Sequence, residues 1–125
     1  MEVPSTWPEN CPPDESVDAA GTAFRVVQND PPNESDFKNY VEMGKLPKAP
    51  QCLRLALSVF QTVEQAYHLS RMKSAELGKY VAEGTLAVGK MRVTPKSGHI
   101  NWWTPEGYDR KSTFTKVLPT PGIVP

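Results

Sequence analysis

Hydrophobic positions recur along this chain in two rhythms, and the switch between them is sharpest within Leu53–Met72, LRLALSVFQTVEQAYHLSRM. In the first half Leu53, Leu55, Leu57 and Val59 alternate at period two, while Ala56 and Phe60 keep the other side apolar as well. A strand that is apolar on both faces belongs in the middle of a sheet. At Thr62 the period becomes helical. Thr62-Val63-Glu64-Gln65 has the form of a capping box, in which the Thr hydroxyl takes the Gln65 amide proton and the Gln side chain reaches back. Val63, Ala66, Tyr67 and Met72 then make the inward stripe of a helix, with Ser74–Leu77 adding a turn before Gly78.

On either side of this unit the same reading gives further elements. Ala23–Gln28 alternates as a first strand, with Phe24 and Val26 against Arg25 and Val27, and Asn29-Asp30-Pro31-Pro32-Asn33 stops it. Ser35 reads as the N-cap of a helix that buries Phe37, Tyr40 and Val41 and runs to Met43, with Gly44 as its left-handed stop. Lys45–Gln51 is a loop. Lys79–Val88 is a strand in which Gly84 marks a bulge or a close backbone approach. Lys90–Thr94 alternates with Met91 and Val93 inward, and Pro95-Lys96-Ser97-Gly98 turns the chain. His99–Thr104 then places Ile100 and Trp102 on one face and His99, Asn101 and Trp103 on the other. After a turn at Pro105-Glu106-Gly107, Ser112–Leu118 is the last strand. The order β-α-β-α-β-β-β-β predicts an α+β fold: two early helices and a largely antiparallel sheet of about six strands.

Composition narrows this. One domain fits 125 residues, with residues 1–20 a proline-rich extended arm, 21–118 the folded unit and 119–125 a tail. The 13 prolines sit mostly at the ends and in loops, so they point to extended segments around a compact centre. In the arm only Trp7 and Cys11 have much to bury, which favours a flexible tail over docking on the domain or on a partner. Fourteen basic residues balance 14 acidic ones, so no global field draws nucleic acid or an anionic membrane. No apolar run approaches the ~18 residues of a membrane span, and the N-terminus lacks a signal-peptide core. Cys11 and Cys52 lack the spacing of a zinc site, so no metal is expected. Two lone cysteines fit a reducing compartment, with a Cys11–Cys52 bridge as the alternative, and the chain reads as cytoplasmic.

Three groupings could carry chemistry. His99, Asn101 and Trp103 share a strand face that could bind a planar ligand or move a proton, though a Trp pair in a strand ordinarily supplies packing. Lys90, Arg92, Lys96 and His99 form a small basic cluster suited to a phosphate or RNA backbone; the ordinary setting for such residues is the solvated face of a hairpin. Arg25 on the first strand and Ser58 on the second could flank a cleft, the Arg holding a diphosphate and the Ser a ribose, with Glu83 or Glu106 stabilising positive charge at a breaking glycosidic bond. In the ordinary case Arg25 makes a surface ion pair and the Ser58 hydroxyl bonds to backbone. There is no P-loop, GxGxxG, HExxH or GxSxG.

FRVVQNDPP at 24–32, LSVFQTVEQA at 57–66 and GKYVAEGTL at 78–86 resemble the opening of ADP-ribosyltransferase-like domains, and with the GH…WW pattern at 98–103 they resemble a group of small bacterial proteins. The resemblance implies a split sheet with NAD as substrate. By motif position Arg25 and Ser58 would hold the NAD and Glu83 or Glu106 would be catalytic; His99 stands as a further catalytic candidate and Trp103 as a further cofactor-binding one. Ser58 lacks a Ser-Thr-Ser setting, and no Glu-x-Glu or Gln-x-Glu pair occurs. The expected function is NAD binding with ADP-ribosyl transfer or NAD hydrolysis, in a small toxin or defence component of a toxin–antitoxin kind. Two other readings stand beside it. One is a non-catalytic interaction module that docks on a protein partner through residues 1–20, the C-terminal tail and an exposed Trp. The other, weaker one is a ribonuclease-like toxin using His99 and the basic cluster.

Overall fold

The computed structural model describes residues 1–124. Its strands are β1 Val17–Asp18, β2 Gly21–Val27, β3 Leu57–Phe60, β4 Tyr80–Leu86, β5 Lys90–Val93, β6 His99–Trp103 and β7 Phe114–Pro119. Its helices are α1 Tyr40–Met43, α2 Gln51–Leu55 and α3 Val63–Leu77, with single 3-10 turns at Glu34–Phe37 and Arg110–Thr113. The strands form one open sheet in the order β1-β5-β6-β3-β2-β4-β7, with every pairing antiparallel. The fold is therefore α+β, with one strand more than the alternation predicts. Among the described residues no helix is long and apolar enough to cross a membrane.

Both faces of the sheet are covered. Ala23, Val27, Leu57, Val59, Ala82, Leu86, Ile100 and Trp102 point to one side, where Phe37 and Phe114 stack at 5.0 Å and close the cluster. Phe24, Val26 and Val81 point to the other, under Ala66, Tyr67 and Leu69 of α3. The Thr62 capping box forms as its sequence predicts. Met72, expected on the inward stripe, is 65% exposed; α3 buries Ala66 and Ser70, packs Leu69 partly, and kinks at Lys73. Gly84 does sit at a register shift, where an added Cβ would stand 2.2 Å from the Thr113 carbonyl oxygen.

Two segments differ from expectation, each for a local reason. Residues 51–55 are helical, and the central strand is only Leu57–Phe60. Leu53 and Leu55 satisfy a period of two, but a short apolar run cannot separate strand from helix on periodicity alone. The helix expected over 35–43 is broken in two, because Asn33 and Asn39 each form a capping box, with Asp36 and Glu42, around the extended Lys38. Gly44 ends α1 with φ 66°, the left-handed stop its position predicts.

Parts of residues 1–20 pack against the domain, while most of residues 1–6 are exposed. Cys11 and Cys52 form a disulfide with Cα atoms 5.6 Å apart, the alternative to the free thiols that the cysteine count favoured. Val17 pairs with Met91, Asp18 binds Lys90 at 2.7 Å, and Glu15 binds Arg92 at 3.0 Å. Cys11, Trp7 and Cys52 cover Trp103 and Ala56.

The feature that matters most for the site is a seam. β2 pairs with β4 along its whole length, from Gly21 with Leu86 to Val27 with Tyr80, but meets β3 only at Phe24 with Phe60.

Candidate functional site

Beyond the Phe24–Phe60 pair the two strands part, and Arg25 fills the gap. Its Nη1 donates to the Ser58 carbonyl at 2.7 Å and its Nε to the Asp36 carbonyl at 2.7 Å, with a longer contact from Nη2 to the Lys38 carbonyl at 3.5 Å. The guanidinium thus supplies donors to a strand that has lost its neighbour. Three of its five N–H groups are engaged, which leaves two uncommitted. Asp36 offers Arg25 only its backbone. Its buried carboxylate accepts from the Gln28 amide at 2.8 Å, the Asn29 side chain at 3.0 Å and the Asn33 amide at 3.0 Å. Among the described residues no ion pair includes Arg25. Burial pushes the Arg25 pKa down to about 10.

The gap opens into a cavity of about 330 Å³. Phe60, Leu69 and Leu77 give the lining an apolar part, and Arg25, Lys38, Tyr40, Lys45, Asp36 and Glu76 a polar one. Ser58 is half-buried and lines this cavity, where the sequence reading placed it. Behind it, on β6, lies His99. Ser58 pairs with Asn101 and Phe60 with His99, so Ser58 and His99 are diagonal neighbours on one face of the sheet. The Ser58 Oγ and His99 Nε2 are 2.5 Å apart, and the edge of Phe60 packs on the imidazole with ring centres 5.6 Å apart. Burial pushes the His99 pKa below its ordinary value, which favours the neutral ring.

The remaining sequence-derived candidates lie elsewhere. Glu83 stands on β4 between Phe24 and Lys116 and does not line the cavity. Glu106 is exposed, on the rim of a separate cavity of about 460 Å³ that also takes in Trp7, Tyr108 and Arg110. Trp103 is fully buried, its Nε1 donating to the Cys52 carbonyl at 2.9 Å, so its ring has no face to offer a ligand. The basic cluster is dispersed: Lys90 and Arg92 are bound to acids of the arm, and His99 turns inward to Ser58. Among the described residues no group of three or more His, Cys, Asp or Glu side chains could hold a metal.

Arg25, Ser58 and His99 therefore converge, although the sequence reading placed His99 in other groupings. That reading did not find Lys38, Tyr40 and Lys45. They fall in or just after a segment taken as one continuous helix, and the break at Lys38 is signalled only by the second Asn cap at Asn39. No family model matches the chain, and neither does any curated protein or solved structure.

Proposed function

We propose that the cavity at the β2/β3 seam binds a small phosphate-bearing ligand of the nucleotide class, with NAD the first to test. The observation that carries this reading is Arg25: a half-buried guanidinium with uncommitted donors and no carboxylate partner at the mouth of a cavity. A phosphate supplies the missing charge in a geometry that suits two parallel N–H donors. Arg25, Lys38 and Lys45 outnumber the lining's two carboxylates, of which Asp36 is already held by three donors, and Phe60, Leu69 and Leu77 suit a base or nicotinamide ring. The proposal is of binding. Glu83 and Glu106, the carboxylates through which ADP-ribosyl transfer was expected to run, lie outside this cavity's lining.

The test is a melting series with NAD, ADP-ribose and pyrophosphate on the oxidised protein. A ligand at a hundredfold excess over its Kd stabilises the native state by about 2.7 kcal/mol. Arg25→Gln, checked for folding by circular dichroism, should lose that increment. A midpoint unmoved by millimolar concentrations of all three ligands would remove the proposal.

The compartment is part of the same reading. The cytoplasmic expectation leaned on two free thiols, whereas a Cys11–Cys52 bridge is the kind that an oxidising compartment maintains. We place the working protein in such a compartment. Alkylation on cell lysis, which adds two groups when both thiols are free and none when they are bridged, decides the point.

A further inference from the structure

We propose that Ser58 is a nucleophile served by His99 as general base, and that its target is the phosphorus of a nucleotide phosphoanhydride seated on Arg25. This rests on the binding proposal for its substrate class but on a separate observation for its chemistry, the contact between Ser58 and His99. The two residues are 41 positions apart, and the pairing of β3 with β6 brings them together. Ser58 is among the residues lining the cavity, and His99, bonded to its hydroxyl, lies behind it on β6 and is not. That order is what a nucleophile requires. Ser58 is also fixed from its other end, because its carbonyl holds the Arg25 guanidinium at 2.7 Å. One residue thus carries the attacking oxygen and anchors the cation that would hold the phosphoryl oxygens.

The step balances without an oxidant, a reductant or any co-reactant but water. The Ser58 Oγ forms a bond to phosphorus as its proton passes to His99 Nε2, and the bridging P–O bond breaks to release the second phosphate. His99 returns the proton to the solvent or the leaving group. Water then attacks the phosphoseryl phosphorus, giving its proton to His99, and the P–Oγ bond breaks with Ser58 taking a proton back. The Arg25 N–H groups face the charge that builds on the non-bridging oxygens, where such donors act most strongly.

A fluorophosphonate forms the same Oγ–P bond and stops there, so it is the probe. Intact-mass and peptide mapping of the folded, oxidised wild-type protein should find one adduct, on Ser58. Excess pyrophosphate should slow its formation. Ser58→Ala should remove it. His99→Gln, with an unchanged far-ultraviolet spectrum, should slow it by about 10²- to 10⁴-fold, the range for loss of a general base. No adduct on Ser58 in the wild-type protein overturns the inference, as does an unchanged labelling rate in His99→Gln. Labelling that pyrophosphate leaves unaffected overturns the substrate class. If pyrophosphate raises the melting midpoint but Ser58 does not label, the binding proposal survives and this inference fails.

Discussion

Replacing Cys11 and Cys52 by alanine should cost about 4 kcal/mol of stability, and the figure follows from where the bridge sits. The disulfide spans 41 residues. Chain-entropy treatment of a loop of that size gives a loss of about 13 cal/mol/K from the unfolded ensemble, or about 4 kcal/mol at 25 °C. Against a total of roughly 5–15 kcal/mol for a small domain, this is a large share. The native side of the balance adds to it. Cys11 is buried against Trp103 and Ala56, so releasing the arm exposes apolar surface that the bridge keeps covered. Urea unfolding followed by circular dichroism measures the effect on three samples: oxidised wild type, reduced wild type and C11A/C52A. The midpoint should fall in both unbridged samples. The slope should rise, because an uncrosslinked chain exposes more surface when it unfolds. A loss under about 1 kcal/mol would mean that the arm contributes nothing to the native state and that the loop-closure reasoning fails for this chain.

Other outcomes follow from single contacts. Gly84→Ala should destabilise by about 1–3 kcal/mol in urea unfolding, since its Cβ would meet the Thr113 carbonyl oxygen at 2.2 Å and either β4 or the chain entering β7 must shift. Trp103→Phe should lose about 1–3 kcal/mol by leaving the Cys52 carbonyl without its donor; an unchanged urea midpoint would contradict the burial of that indole. Stability should fall as pH drops below 6.5. Burial lowers the His99 pKa in the folded state, so the unfolded chain takes up its proton first, and the loss grows until the folded-state pKa is passed. His99→Gln should flatten that part of the urea-midpoint profile, and a slope that survives the substitution would assign it to another group.

The elements that were legible in the sequence are those whose causes lie within a few residues. The alternation of Lys90–Val93 and His99–Trp103, the Thr62 capping box and the Gly44 stop all need only local geometry. The register shift at Gly84 was marked by the glycine itself. What was not legible depends on pairings between distant segments. β1 is two residues long and exists because β5 offers it an edge. Trp103 alternates opposite Ile100 and Trp102, as expected, but the pattern does not show that the arm covers that face and buries the ring. Arg25 and Ser58 could be named as neighbours because their strands flank a gap. The Ser58–His99 contact required knowing that β3 pairs with β6, its neighbour in the sheet but separated from it in sequence by α3, β4 and β5.

The seam also bears on how the molecule opens. The ladder β1-β5-β6-β3 and the ladder β2-β4-β7 share one pair of strand residues, so backbone hydrogen bonding alone makes them nearly independent units. The core of Ala23, Val27, Leu57, Ile100, Trp102 and Phe114 spans both ladders, and two further contacts couple them at the seam. α3 leaves β3 at Thr62 and lies across β2 and β4, and Arg25 ties β2 to the Ser58 backbone. Amide hydrogens along β2 and β4 should therefore exchange as one cooperative block, distinct from that of β5 and β6, with the slower block setting the global unfolding free energy. A ligand gripped by Arg25 and resting on Ser58 would touch both blocks at once. Its clearest signature would then be the merging of two exchange classes into one, with little displacement of any atom.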